Sequence, residues 1–545
     1  MFSKIRHGHW NGWNFFVCWL VSLGQLACGY PSSGISITLG TGSFLTYMGI
    51  VDAETGALSS DGNALIGAVS GVYFAGACFG VVLAGFITDR FGRKPSFIVS
   101  ATVLTLGTAL ETGSRNIAMF IVARFITGFG AWGFQVTTPL FVSELAPPDL
   151  RGLMSGMNGI HVGVGYTIAA CIGLGFYTID DNPSMQWRAP IGIGIFFALL
   201  MIVVCLIVPE SPRFLLLKGR VEEAKKIVFD LHKMKNDPDQ VFAREEFYQM
   251  AQQAEHEKKS EVSLITLFTH RKYRKRMSAT MAYAFIGQST GVLVLNNYGP
   301  LIYKTLGYDT YHQFIFQCGW LSVAIVFNIV GALLIDSVGR KPLLMIGTGG
   351  ACASLILEAA MVATYVEGPS AGTNKAGLKM GVAAAYIFLA FFSVGVDVAG
   401  ITFFAEAFPN NARAKGVACI IFVIAITDLV YLEVAPTAFA NIGWKYYLVF
   451  IIISGLGVFV IYFLIPETKG VPLEEMAKVF GEKDEVQVFA EDIHIDQNTH
   501  RLVVEDHNTH EIQEIIGDDG TVSTTGRDAD VLKDEKAHRV HAEHA

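Results

Sequence analysis

Two aspartates stand where charge is hardest to hold. Asp397 lies nine residues before the end of one apolar run, and Asp428 lies thirteen residues into the next. At 1.5 Å per residue, nine residues are ~13 Å of helix. Acids at such depth are functional by default, because a buried carboxylate can exchange protons where a solvated one stays ionised. A fixed interhelical pair or hydrogen bond is the competing role for each. A second polar group interrupts another apolar run, in GQSTGVLVLNNYG (Gly287–Gly299). At 100° per residue, Gln288, Val292, Asn296 and Gly299 share one broad face of a regular helix. Asn297 points almost opposite to Gln288, so only a helix break turns both asparagines the same way. Asn328 and Gln135 are further buried polar residues, for which interhelical hydrogen bonding is an adequate role.

A third group is charged and repeats. GFITDRFGRKP (85–95) carries Asp89, Arg90, Arg93 and Lys94, and 247 residues later GALLIDSVGRKP (331–342) carries Asp336, Arg340 and Lys341. SELAPPDLRG places Glu144 seven residues before Arg151, and AEAFPNNARAKG places Glu406 seven before Arg413. PESPR, with Glu210 and Arg213, is echoed by PETKG, with Glu467. Membrane anchoring by positive charge accounts for the lysines and arginines. It does not account for the paired aspartates or the fixed spacing. Glycine allows a tight turn, and guanidinium forks can bridge carboxylates on neighbouring helices. Bridges that hold only while one end is closed would bias a two-state equilibrium, so these residues form an expected gating set.

The elements that must position these groups are membrane helices. The chain of 545 residues is 52% apolar, and its 16% of charged residues is well below the quarter usual in soluble domains. About 20 mostly apolar residues cross a ~30 Å hydrocarbon core, and twelve candidate spans meet that rule between residues 13 and 465, the third near 97–113 and the seventh near 277–303. The expected layout is a cytoplasmic N-terminus (1–12), a six-helix bundle (13–208), a linker with amphipathic helices (209–276), a second six-helix bundle (277–465) and an acidic tail (466–545). Lysine and arginine concentrate in the loops holding the repeated motifs and in 209–276, which alone has fifteen, so both termini are expected in the cytoplasm. Three matched pairs of motifs in the same order, at offsets of 247 to 262 residues, mean two homologous halves, an architecture that puts a binding site near the midplane between them. Leu217, Val221, Ala224, Val228 and Leu231 form one apolar helical stripe within the linker. The tail carries 20 acidic and 8 basic residues and lacks evident periodicity after its start, so disorder is expected there. The eight cysteines fall in apolar runs without ligand or disulfide spacing.

The two D-x-x-G-R-K loops, RFITGFGAWG…PLFVSELAPPDLRG, PESPRFLLLKGR and PETKGVPLEEM together resemble the sugar porter family of the major facilitator superfamily, with the texture of a fungal member. The resemblance runs from about residue 13 to 480. It implies an all-α membrane protein of twelve transmembrane helices in two pseudo-symmetric halves. It also implies alternating-access transport of a small polar solute without covalent chemistry. In the seventh span relatives usually read Gln-Gln-x-x-Gly-x-Asn-x-x-x-Tyr-Tyr. Here Gln288, Gly291 and Tyr298 match, while Gly287, Leu293 and Asn297 replace a glutamine, an asparagine and a tyrosine. In the fifth span the usual sugar-binding glutamine is Gly159, flanked by Asn158 and His161. In the tenth the usual Gly-Pro pair is Asp397-Val398, and the sugar-stacking tryptophan is Ile401. The expected solute contacts are therefore Gln288, Asn296, Asn297, Tyr298, Asn158 and His161, in a pocket unlike a typical hexose pocket.

Proton-coupled relatives tend to have Gly-Tyr-Asp in the first span, the aspartate pairing with an arginine in the fourth. This chain reads Gly29-Tyr30-Pro31 yet keeps Arg124. An unpaired arginine at depth costs ~2.5–3.5 kcal/mol on the insertion scale, so Glu111 or Glu433 is its expected partner. Asp397, Asp428 and Arg124 are the expected proton-coupling set. The expected protein is a plasma-membrane carrier of a sugar-like or other polar solute, working as a monomer in the lipid bilayer. It should need no cofactor, metal or nucleic acid. Export of an organic acid or fungal secondary metabolite is one alternative, and a non-transporting nutrient sensor signalling through its tail is another. No Gly-x-x-x-x-Gly-Lys-[Ser/Thr] loop, G-x-S-x-G elbow or H-E-x-x-H helix occurs, so nothing supports an ATP-driven pump or an enzyme.

Overall fold

A computed structural model describes residues 11–52, 54–179, 182–233, 237, 240–258, 262–305, 307–368, 375–481, 492–495, 502–505, 512–516 and 522–523. The chain divides into two compact units, one built mainly from Trp13–Ser211 and Val262–Gly470, the other mainly from Pro212–Glu261 and Val471–Ala545.

The first unit is all helix. Its first half contains α1 (Gly12–Gly40), α2 (Gly62–Arg90), α3 (Arg93–Thr112), α4 (Ile117–Leu145), α5 (Arg151–Tyr177) and α6 (Met185–Ile207). The second half contains α7 (Arg271–Gln288), α8 (Val292–Thr305), α9 (Thr310–Val338), α10 (Arg340–Tyr365), α11 (Lys375–Phe391), α12 (Val398–Glu406), α13 (Asn410–Ile442) and α14 (Tyr447–Leu464). Ten helical runs among the described residues are long and apolar enough to cross a membrane. One of them, Asn410–Leu464, is interrupted by a 3₁₀ turn at Gly443–Tyr446. Helix α3 has 20 residues but starts with Arg93 and Lys94 and lies outside those ten. The outer surface exposes large apolar side chains such as Phe79, Leu206, Phe459 and Phe463, as a lipid-facing belt requires.

Small residues set the packing. A methyl group at Gly128 or Gly80 would run into the carbonyl oxygens of Tyr73 and Phe129, so α2 and α4 meet backbone to backbone. Between the halves, α2 packs on α13 and α5 on α9, the two exchanges a two-fold repeat predicts.

Two of the long helices depart from regular geometry. The seventh span breaks between Gln288 and Val292, where Gly291 adopts φ +80°, and Phe450 leaves no room for a side chain there. The tenth span contains a π-helical turn over Phe392–Asp397, linking α11 to α12. Such turns concentrate at functional sites, and this one ends on Asp397.

In the second unit, short helices Pro212–Leu217, Val221–Leu231 and Val241–Lys258 enclose a small core of Leu215, Leu216, Ala224, Val228, Met250 and Ala254. The expected stripe supplies Ala224, Val228 and Leu231 as buried residues, while Val221 is exposed. Here His232 pairs with Glu246, and Gln249 donates to Glu475 at 3.2 Å. The tail contributes an antiparallel sheet of β1 (Ile493–Ile495), β2 (Leu502–Glu505), β3 (Ile512–Ile516) and β4 (Val522–Ser523), in the order β1-β2-β3-β4. Sequence reading expected disorder there. The short alternations Ile-His-Ile and Leu-Val-Val-Glu put Ile493 opposite Val504 and Ile495 opposite Leu502, cross-strand apolar pairs too brief to show as periodicity. The rest of the expected disorder lies outside the described residues.

Candidate functional site

Between the two halves lies a cavity of ≈ 110 Å³. The first half lines it with Trp132 and Gln135 from α4 and Tyr166 from α5; the second contributes Gln288, Asn296, Ser393, Asp397 and Asp428. Its remaining wall is largely apolar and aromatic, including Tyr283, Trp320 and Phe404.

Gln288 and Asn296 thus occupy the face that helical spacing assigns them, with the Gly291 break between them. Asn296 Oδ1 accepts from Ser33 Oγ at 2.9 Å, joining α1 to α8 across the halves, and Gln317 Nε2 donates to its carbonyl at 2.9 Å. Asn296 Nδ2, Gln288 Oε1 and Ser393 Oγ are buried without a hydrogen-bond partner among the described residues. Unsatisfied polar atoms in a cavity wall are what a polar solute would complete.

Other expected contacts do not reach the cavity. Asn297 donates to Leu293 O at 3.0 Å on its own helix, because the break precedes both asparagines and leaves them about 100° apart. Tyr298 reaches Leu432 O at 2.8 Å, and Asn158 turns back to Ser155 O at 2.8 Å. His161 contacts Met157 O through Nδ1 at 2.8 Å and sets its ring edge-on to Trp19 at 5.7 Å. All four are buried away from the lining. The aromatic wall had no signal in the spacing, since single tryptophans and tyrosines in apolar helices read as packing.

The two intramembrane acids differ. Asp397 Oδ2 accepts from Asn328 Nδ2 at 3.0 Å, and the same amide reaches Gly159 O at 2.7 Å. The absence of a side chain at Gly159 leaves space into which Asp397 and Asn328 project. Asp428 is 1% exposed, and no hydrogen bond or ion pair reaches it among the described residues. Arg124 is remote from this cavity. It lies 3.5 Å from Glu111, donates to Pro31 O at 3.1 Å, and stacks on Tyr73 at 4.3 Å from the ring centre. Glu111, not Glu433, is therefore its acidic partner; Glu433 instead packs on Gly67 and Gly71.

The repeated charged motifs gather at one end of the bundle. Arg93 forks onto Glu144, with Nε–Oε2 at 2.8 Å, and Glu210 accepts the Arg93 and Lys94 backbone N–H groups at 3.1 and 3.2 Å. Arg340 forks likewise onto Glu406 at 3.2 and 2.9 Å, and Glu467 accepts from the Arg340 and Lys341 N–H groups at 2.9 and 3.0 Å. Gly92 and Gly339, both at φ +106°, make the turns that aim those helix starts at their caps. Contacts that cross between the halves here include Asp89 to Lys415 at 3.0 Å, Asp336 to the Leu153 N–H at 2.9 Å, and Glu144 to Arg413 at 3.8 Å. Arg90 is exposed and rests on Phe86 and Phe91. Arg151 and Arg213 are buried, the latter in the second unit. At the opposite end the halves also touch, through Tyr177 and Phe314 with ring centres 4.9 Å apart.

Two helical halves enclosing a cavity with a few polar side chains in an apolar wall, and ion pairs at one end, define a multi-pass membrane transporter of a small solute. The chain belongs to the Sugar (and other) transporter family, whose sequence profile matches residues 17–480. It is 29% identical over 471 residues to a probable quinate permease of Aspergillus flavus, covering 83% of this chain and 85% of the relative. It is 27% identical over 486 residues to high-affinity glucose transporter 1 of Candida albicans, covering 86% of each. The fold matches that of the proton:xylose symporter XylE of E. coli, solved with 6-bromo-6-deoxy-D-glucose, at a TM-score of 0.74 and 21% identity, over 86% of this chain and 100% of that one.

Proposed function

We propose that the chain is a secondary carrier whose halves alternate access to the cavity lined by Gln288 and Asn296, moving a polar solute with protons. Twelve segments cross the bilayer: the ten long apolar runs, with Asn410–Leu464 counted as two, plus α3. The basic end faces the cytoplasm, both termini lie there, and the plasma membrane is the site of action of a working monomer. The observation that carries this reading is the placement of unsatisfied Gln288, Asn296 and Ser393 atoms in a cavity whose walls come from both halves. Contacts at both ends of the bundle, Asp89–Lys415 at one and Tyr177–Phe314 at the other, suit an occluded state of such a cycle.

Proton exchange falls to Asp397 or Asp428, the acids that line the cavity, while Arg124 and Glu111 form a fixed pair that holds α1, α3 and α4 together. Proteoliposomes with an inward proton gradient test the reading with a panel of labelled sugars, polyols and organic acids. At least one solute should accumulate, and changing the proton-carrying aspartate to asparagine should abolish accumulation while leaving exchange. Accumulation undiminished in both aspartate variants would remove the coupling role, and failure of every solute to move would remove the transport reading.

A further inference from the structure

We infer that the solute taken by this cavity carries a positive charge, as a protonated amine or ammonium group, and that Asp428 is its counter-ion. The inference rests on the carrier reading and names the solute class of the same site.

The first ground is the sign of the cavity. Two carboxylates line it, and no lysine, arginine or histidine does so among the described residues. The nearest arginine by motif, Arg124, is committed to Glu111, Pro31 O and the Tyr73 ring in a separate part of the first half. An anionic solute would therefore approach two acids with no compensating cation, whereas a cation would meet complementary charge.

A second ground is that the two acids are not equally served. Asp397 is held by the Asn328 amide, which fixes its orientation and leaves it free to exchange a proton. Asp428 has no such partner, although it is buried and lines the cavity wall. A buried carboxylate without a partner must either take up a proton or be paired, and an arriving cation supplies the second. An ammonium group does so with three donors, matching Asp428 together with the unsatisfied Gln288 and Ser393 oxygens.

The third ground is the aromatic wall. Trp132, Tyr166, Trp320 and Phe404 line the same space. Ring faces attract ammonium groups once water is displaced. Neutral polyols could use Gln135, Gln288, Asn296, Ser393 and the unsatisfied Trp132 indole N–H, but they lack the selective attraction that a cation has for the ring faces and carboxylates. Together these features suit an amino sugar or a small alkylamine better than glucose or a hydroxy acid.

The test uses the full-length protein in lipid nanodiscs, titrated calorimetrically at neutral pH with glucosamine, N-acetylglucosamine, glucose, ethanolamine and quinate. Glucosamine and N-acetylglucosamine share a ring but differ in the charge on one nitrogen. Glucosamine or ethanolamine should bind at least roughly tenfold more tightly than the neutral sugars and quinate. Asp428→Asn should erase that preference, and Asp428→Glu should keep most of it. Equal binding of charged and neutral sugars, tighter binding of quinate, or no binding of either amine would overturn the inference. Proteoliposome flux separates it from the transport reading. Amine binding without movement of any solute leaves the cation site standing and sinks the carrier, and movement of neutral sugars with no amine preference does the reverse.

Discussion

In the first half Arg93 forks onto Glu144 while Glu210 caps the helix that Arg93 begins; in the second, Arg340 forks onto Glu406 while Glu467 caps its helix. Even the spare guanidinium nitrogens agree, one donating to Thr88 O at 3.2 Å and the other to Ile335 O at 3.4 Å. The likeness ends where the halves meet. Leu153 and Lys415 are equivalent by the same offset that relates Glu144 to Glu406. Asp336 accepts a backbone N–H from the first and also pairs with Arg340 at 3.2 Å, whereas Asp89 pairs with the ammonium of the second. The side chains of the forked pairs are at most 4% exposed, but those of Lys415 and Asp89 are 29% and 33% exposed. Buried, close bridges make each half rigid, whereas the bridges that join the halves are either wetter, as Asp89–Lys415 is, or longer, as the buried Glu144–Arg413 pair is at 3.8 Å. That division is what a moving gate between rigid bodies requires.

The largest effects should come from the forks. Glu144→Ala or Glu406→Ala removes the forked carboxylate from a buried arginine, and breaking such a pair typically costs about 3–5 kcal/mol, less for Arg340, which keeps Asp336 at 3.2 Å. Thermal unfolding of the detergent-solubilised protein should show a marked loss for both. Glu144→Ala should be the more harmful of the two across the halves, because Arg413 also leans on Glu144. A loss below about 1 kcal/mol in either variant would mean that these pairs do not hold the halves rigid.

Next come the caps. Glu210→Ala and Glu467→Ala each free two backbone N–H groups at a helix start, and caps of this kind are worth about 0.5–2 kcal/mol. The two variants should shift unfolding by similar amounts. A gap well beyond the scatter of that range would break the equivalence of the two copies, and would point to a second role for one of the glutamates.

Much of this frame was legible because local chemistry repeats. A glycine that must turn, an arginine that must fork and a glutamate at fixed distance leave the same signature wherever they recur. Buried charge was also readable: Arg124 needed an acid, and the nearby Glu111 supplies it. Gln288 and Asn296 were placed by helical spacing, and Gln288 also by its match to the family motif, whereas Asn158, Asn297 and His161 lie off the cavity lining for a common reason. Each bonds to the backbone of its own helix three or four residues earlier, with Asn158 Oδ1 left buried without a partner among the described residues, and no spacing argument can distinguish such a bond from one to a solute. The π-helical turn before Asp397 was illegible too, since it depends on close backbone approach between Gly395 and Gly347 of a distant helix.

The smallest effect probes the asymmetry itself. Lys415→Leu makes the second half resemble the first at this position and removes the partner of Asp89, while Asp336 keeps both of its contacts. An exposed ion pair is worth about 0.2–1 kcal/mol, so unfolding should hardly change. A gate is balanced more finely than a fold, and the same energy shifts a two-state ratio by about 1.4- to fivefold. Spin labels at Phe91 and Ser337, exposed positions in the two halves, can report the opening on a background lacking the eight native cysteines. The variant should populate longer distances than the parent at low salt. The difference should shrink at high salt, where screening already weakens the parent's pair. Unchanged distance distributions would show that the Asp336–Leu153 and Glu144–Arg413 contacts hold the halves together at this end without Lys415. The lysine would then be a surface charge with no part in the gate.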